Sequence, residues 1–383
     1  MSINLWGIIM TEPMIVRLNG TRGSRVTSQL PYQAFGTDTS SVTVSKGDDN
    51  IILDTGSGIS NYSEFLIEQA GGIENYQRLP PDSKRYSVLH SHFHKDHLVD
   101  LDSFQPVYML DVELRFFSPA LLNSNRRGKF ELVTSEFLLS TLMGGSEYPV
   151  RFSEADRQNP NEPFLQCKKE FFPITAYGKD VKEGIQKLLG RELLTEFKVG
   201  KMLVMPFELD HPGGAVGYRI EDTESGATVA YVTDTVHRPG KVDHNILNGI
   251  EGADLVIYDS SMAPDGLDIS DLLKNTPTEF HKFIDVRKFS NYPHYGHSDI
   301  ESGATLAQMA HAIKLIGFHH EPHHSDIVIR YIEQYIKRKC PDVDVDMAVQ
   351  GSVLSVEKGR VTYLKKPPVE EIIQQLHPLY LKK

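Results

Sequence analysis

A layered α/β fold is what this sequence predicts, and three observations carry the prediction. Short β-branched runs recur along the chain and alternate with stretches of helical period. Several of the runs end on Asp or His followed by Gly, Ser or Thr, which is how a sheet hands polar side chains to the loops at its edge. The sixteen histidines cluster rather than scatter.

In chain order, strands are expected at 14–18, 41–45, 50–54, 86–90, 202–209, 227–234, 255–259 and 315–319. Helical patterns fit 64–69, 135–142, 181–189, 300–313 and 326–339, with Ser298 and Asp299 as capping residues ahead of 300. The stretch 100–201 is less regular, mixing Pro, Gly, Asn and charged residues. It reads as an insertion within a single domain at 14–364, and 365–383 reads as a C-terminal helical tail.

Composition narrows the class. Fifty-one acidic residues against forty Lys and Arg leave a net charge of −11, a poor basis for holding nucleic acid on a broad basic face. The run Asn125-Arg126-Arg127-Gly128-Lys129 is a short basic patch at most. Two cysteines, Cys167 and Cys340, make neither a disulfide scaffold nor a Cys-rich zinc module, and suit a reducing compartment. No apolar run approaches the roughly 20 residues of a membrane span, so no membrane partner is expected. The start, 1–14, has no basic region followed by a long apolar one, and a cytoplasmic location is expected.

The run from His90 to His97 leaves the strand expected at 86–90, and within it His92, His94, Asp96 and His97 form His-x-His-x-Asp-His. Imidazoles and a carboxylate are ligands that Zn²⁺, Mn²⁺ or Fe²⁺ accept. A loop leaving a strand aims alternate side chains at one point, so His92 and His94 share one ion. Asp96 and His97 then feed a second ion, roughly 3.5–4 Å away in two-metal sites. A solvated His-rich loop is the bland alternative, and four ligand-type residues in six weigh against it.

Further along, Asp54 stands in Leu53-Asp54-Thr55-Gly56, His211 in Asp210-His211-Pro212-Gly213-Gly214, Asp234 after Tyr231-Val232-Thr233, and His319 after Ile316-Gly317-Phe318. In this order, with the His-x-His-x-Asp-His run, they resemble the metallo-β-lactamase-fold hydrolases, in particular the ribonuclease Z-like and bacterial cyclic-nucleotide phosphodiesterase-like branch. The resemblance implies an αββα sandwich, two mixed sheets face to face with helices outside and a dimetal site at one edge. It also implies a ligand set of His92, His94, Asp96, His97, His211, Asp234 and His319, with Asp234 bridging two divalent ions, zinc expected and manganese the alternative. Two such cations outweigh two carboxylates, and the surplus suits an anionic substrate. His94 stands where the diiron oxidoreductase branch carries Glu, which turns the reading away from redox chemistry.

Three other segments resemble the phosphodiesterase side of that family: Gly20-Thr21-Arg22-Gly23-Ser24, Tyr295-Gly296-His297-Ser298, and Val256-Ile257-Tyr258-Asp259. They imply His297 as the acid that protonates the leaving oxygen, oriented by Asp259, with Asp96 also among the catalytic residues. Arg22 and Tyr295 are candidate substrate contacts. Asp259 is shorter than the Glu usual in ribonuclease Z. The run His319-His320-Glu321-Pro322-His323-His324-Ser325-Asp326 is closer to the bacterial cyclic phosphodiesterases. His320, His323 and His324 are expected as loop or supporting residues, His90 as a buried strand residue, and His294 as site lining.

The function implied is metal-dependent hydrolysis of small phosphodiesters, foremost a 3′,5′-cyclic nucleotide to a nucleoside monophosphate, by hydroxide held between the metals. A ribonuclease Z-like endoribonuclease or another ester or lactone hydrolase is the alternative. A non-catalytic scaffold is expected to have lost ligands, and all seven are present. The relatives this chain resembles imply a homodimer.

Overall fold

A computed structural model of the chain describes residues 11–98, 100–124, 130–144, 150–157, 161–237, 241–292 and 294–380. The basic run at 125–129 and most of the start at 1–14 lie outside the described residues.

The strands are β1 (Met14–Gly20), β2 (Ser41–Lys46), β3 (Asp49–Leu53), β4 (Arg85–Leu89), β5 (Glu113–Pro119), β6 (Leu121–Ser124), β7 (Phe130–Val133), β8 (Lys168–Ile174) and β9 (Phe197–Val199). They continue as β10 (Met202–Leu209), β11 (Ala215–Asp222), β12 (Thr228–Val232), β13 (Leu255–Asp259), β14 (Lys314–Phe318), β15 (Asp344–Met347), β16 (Val353–Glu357) and β17 (Arg360–Lys365). An eight-stranded sheet runs β17-β16-β1-β2-β3-β4-β5-β8, and a seven-stranded sheet runs β15-β14-β13-β12-β11-β10-β9. Both are mixed: β3, β4, β5 and β8 pair in parallel, as do β12 to β15, while β1, β2, β16 and β17 and β9 to β11 pair antiparallel.

Period-two alternation explains why the sheets stack. Ile51, Leu53, Leu255, Ile257, Ile316 and Phe318 point into one core between the two sheets. Their neighbours point outward. Ile52 and Val88 meet Ile59 and Tyr62 of the helix Ile59–Gln69, and Val256, Tyr258 and Leu315 meet Leu306, Val328, Ile332 and Ile336 of the helices Ile300–Met309 and Asp326–Lys339. Both faces are covered, so the parallel strands read as continuous apolar runs. Each fully buried Leu, Ile or Val stabilises the sandwich by roughly 1.5–3 kcal/mol. The result is the expected αββα architecture.

The interval 100–201, read from the sequence as an elaborated insertion, carries regular elements of its own. Its β5 and β8 extend the eight-stranded sheet in parallel register from β4, and the β6–β7 hairpin and the helix Ser135–Gly144 lie between them. Phe116 and Phe171 stack in that register at 4.9 Å, an apolar pairing that the surrounding Lys and Glu residues mask in the sequence. Asp299 caps its helix as expected, its Oδ1 accepting from the N–H groups of Glu301 and Ser302. That helix ends at Met309 rather than 313, and His311 lies in the left-handed region at φ 54°. The tail helix, Val369–Tyr380, packs Val369, Ile372 and Ile373 on the outer core of the seven-stranded sheet.

Candidate metal centre

Strand ends assemble the site. In the parallel set, Val232 pairs with Tyr258 and Asp259 with Phe318, so Asp234, Asp259 and His319 emerge side by side at one edge. In the other sheet Leu53 pairs with Leu89, placing Asp54 beside the chain that becomes His90 to His97. Asp54, Asp234 and His319 adopt φ of 61°, 44° and 61°, a strained left-handed conformation that turns each side chain back over its strand end. Asp96 and His97 ride on the short helix Lys95–Leu98, and His211 lies in the turn between β10 and β11.

Asp234 faces both halves of the ligand set. Its Oδ2 lies 3.5 Å from Nε2 of His92 and 3.9 Å from Nε2 of His211, and its Oδ1 lies 3.2 Å from Nε2 of His97 and 3.1 Å from Nε2 of His319. His94 joins the first group, its Nδ1 3.0 Å from Nε2 of His211, and Asp96 joins the second, its Oδ2 3.2 Å from Nε2 of His319. Ligand atoms of His92, His94, His211 and Asp234 lie within 4.8 Å of one another, as do those of Asp96, His97 and His319.

The hydrogen bonds behind the imidazoles test whether cations fit. Nδ1 of His97 donates to Asp54 at 2.8 Å, and Nδ1 of His211 to the carbonyl of Gly296 at 2.7 Å. The Ser261 hydroxyl donates to the His319 carbonyl and accepts from His319 Nδ1 at 2.8 Å. The Ser91 hydroxyl donates to Asp54 and accepts from His92 Nδ1 at 3.0 Å. With Nδ1 holding the proton, all four rings turn an Nε2 lone pair inward. His92 Nε2 is buried without a hydrogen-bond partner, and the Nε2 atoms of His97 and His319 face each other at 3.1 Å. Converging lone pairs without donors are what divalent cations satisfy, so the residues fit two such ions.

The electrostatics agree. Burial drives His92 well below the usual imidazole range. Burial opposes charge on His97 too, yet Asp234, Asp96 and Asp54 hold its pKa well above that range. The pocket is rich in carboxylate charge and short of cations.

His297 stands beside this cluster, its Nδ1 3.1 Å from Oδ2 of Asp259 and 3.8 Å from Oδ2 of Asp234. Asp259 is fully buried and fixed by the N–H groups of Thr235, Ser261 and Ser298. Burial alone lowers the His297 pKa, and the charge and hydrogen bond of Asp259, with Asp234 and Asp96 behind, raise it to about 9.

Arg22 is a correction. It does not face the site as a substrate contact: its guanidinium is fully buried and donates to the carbonyls of Gly36, Tyr32 and His324, with Asp326 at 3.5 Å. It ties the loop after β1 to the loop after β14. Tyr295 is exposed, edge-on to Tyr292 and next to Gly296. His320 and His324 are buried supports around Arg22, His90 is buried against Thr55, and His294 is exposed. Ser91, Ser261 and the Gly296 carbonyl were not singled out from the sequence. The available signal was position: each sits within two residues of a ligand or an acid in sequence.

No protein-family model matches the sequence, and no curated protein matches it. Solved structures do match in fold. The metallo-β-lactamase-fold protein YhfI from Bacillus subtilis aligns over 90% of this chain and 100% of its own, with TM-score 0.54 and 16% identity. A diphosphatase of the PhnP family covers 89% of this chain and 97% of its own, with TM-score 0.51 and 12% identity. The short form of human tRNase Z covers 88% and 98%, with TM-score 0.51 and 15% identity. Two face-to-face mixed sheets with a His/Asp cluster where parallel strands end, in a chain that aligns with such structures over 88–90% of its length, establish that this chain has the metallo-β-lactamase fold.

Proposed function

We propose that this chain is a metal-dependent phosphodiesterase acting on small nucleotide phosphodiesters, 3′,5′-cyclic nucleotides foremost. The observation that carries the reading is the His297–Asp259 pair set against a ligand cluster split by the two oxygens of Asp234. His92, His94, His211 and Asp234 would hold one divalent ion, and Asp96, His97, His319 and Asp234 the other, Zn²⁺ or Mn²⁺ suiting such donors. Ions bound there supply Lewis acidity toward a phosphate and acidify water near neutral pH.

The chain's own residues supply orientation and the proton. Asp259 accepts from Nδ1 of His297, which leaves Nε2–H free to protonate a departing ribose oxygen. A pKa near 9 keeps that proton in place at neutral pH, and cations near Asp234 would draw it down toward the working range. Tyr295, exposed beside Gly296, is proposed to line the substrate. A likeness to a diphosphatase and to a tRNase Z supports phosphate chemistry and leaves the substrate open between small molecule and RNA. The net charge of −11 favours the small molecule.

A panel of cyclic nucleotides, bis-p-nitrophenyl phosphate and precursor transfer RNA, assayed after zinc or manganese reconstitution, tests this. Cleavage of RNA alone would move the assignment to an endoribonuclease, and opening of a lactone with no phosphodiesterase activity would overturn it. A cytoplasmic homodimer completes the proposal. Light scattering that gives the 43.1 kDa monomer mass at micromolar concentration would refute the dimer.

A further inference from the structure

We infer that a small pocket reached along the chain from the metal centre receives a phosphoryl group neighbouring the scissile one, with Arg25 as its cation. The chain after β1 leads from the ligands to this pocket. Gly23 lies flat on the His319 imidazole, where a Cβ would come within 2.3 Å of the ring, and the Ser24 N–H donates to Oδ2 of Asp96 at 2.6 Å. Ser24, at φ 55°, turns the chain outward. Immediately beyond, Arg25, Thr27, Ser28, Gln29, Tyr32 and His323 line a cavity of about 140 Å³.

Size and chemistry select the occupant. A cavity of that size has room for a phosphate. Arg25, Thr27, Ser28, Gln29 and Tyr32 each offer a hydrogen-bond donor. Thr27 is 7% exposed, and its Oγ1 has no hydrogen-bond partner. Arg25 is exposed, touches Nε2 of His323 at 3.4 Å, and forms no ion pair among the described residues. The nearby carboxylate of Glu321 is engaged by Nδ1 of His323 at 2.5 Å. An arginine left without a carboxylate, in a chain of net charge −11, is placed for bidentate recognition of phosphate. Arg22, three residues earlier, has no such freedom because carbonyls saturate it.

A cyclic mononucleotide carries one phosphate and leaves this pocket unfilled, whereas a substrate with a second phosphate next to the scissile diester occupies both. The catalytic benefit of the pocket rests on the phosphodiesterase reading, and the binding does not. The test compares the dinucleotide TpT with its 5′-phosphorylated form pTpT on zinc-reconstituted protein, by titration calorimetry and by cleavage. Wild type should bind pTpT at least tenfold more tightly than TpT. Arg25→Ala should bring that ratio toward one, and Arg25→Lys, which keeps charge without the bidentate fork, should fall between. Equal affinities in wild type, or a ratio that Arg25→Ala leaves intact, would overturn the pocket. If the ratio and its dependence on Arg25 hold but neither compound nor bis-p-nitrophenyl phosphate is cleaved, the pocket stands and the phosphodiesterase reading falls.

Discussion

Nδ1 of His211 donates to the carbonyl oxygen of Gly296 at 2.7 Å, which fastens a candidate metal ligand to the residue preceding His297. One hydrogen bond thus links occupancy of the metal centre to placement of the proposed acid. Gly296 sits at φ +85°, and a Cβ there would lie 2.5 Å from both the His211 ring and Pro212.

That contact makes Gly296→Ala a joint lesion. Both the backbone conformation and the space reject a methyl group, so His211 and the His297 loop must separate. Metal content should fall, and cyclic nucleotide hydrolysis should drop by at least about tenfold, since a displaced acid forfeits part of the roughly 10²–10⁴-fold such groups contribute. Elemental analysis alongside the assay checks it. Full metal content with full activity would show that the bond carries no coupling.

The split of Asp234 between two ligand groups predicts two metal equivalents per chain and a single residue on which both depend. Elemental analysis of protein purified without chelator should approach two equivalents. Asp234→Ala should be the most damaging ligand change, with less than one equivalent retained. One equivalent in wild type, even after reconstitution with excess Zn²⁺ or Mn²⁺, would refute the dinuclear assignment.

His297→Ala should separate substrates by leaving group. A ribose alkoxide needs a proton as it departs, whereas p-nitrophenolate leaves unaided. Cyclic nucleotide hydrolysis should fall by about 10²–10⁴-fold while much of the p-nitrophenyl diester activity survives with metal content unchanged. Asp259→Asn should act in the same direction more weakly. Equal losses on both substrates would reduce His297 to a positioning role.

Acid should destabilise the fold through His324. Burial, helped by the Arg22 charge, lowers its pKa to about 3, whereas an unfolded histidine titrates near 6.5. Below pH 6.5 the unfolded chain takes up a proton that the folded chain refuses, so stability falls as pH drops from about 6.5 toward about 3. The slope for one such group reaches about 1.4 kcal/mol per pH unit. His324→Gln keeps an acceptor for the Arg287 N–H and removes the titration. Urea midpoints between pH 7 and pH 4.5 should therefore decline less steeply in this variant, and an unchanged slope would show that His324 is not a neutral buried group.

The sequence by itself determined the layered fold, the strand ends that carry Asp234, Asp259 and His319, and the order of the seven candidate ligands. These are local facts. A short β-branched apolar run such as Leu255 to Tyr258 reads as a strand wherever it lies, and His92, His94, Asp96 and His97 share a site because six residues leaving one strand cannot stray far. The strands β5 and β8 were not legible, because their pairing is long-range and their Lys and Glu residues blur the pattern. Only the tertiary structure decided which histidine nitrogen faces inward. That choice belongs to Asp54, Ser91, Ser261 and the Gly296 carbonyl, brought from four separate segments by parallel register. It also decided between two arginines three residues apart. Arg22 is saturated by carbonyls from loops distant in sequence, while Arg25 touches only His323 and forms no ion pair among the described residues. A sequence records which groups a chain owns, but whether a charge is spent or free depends on partners that only folding brings within hydrogen-bond range.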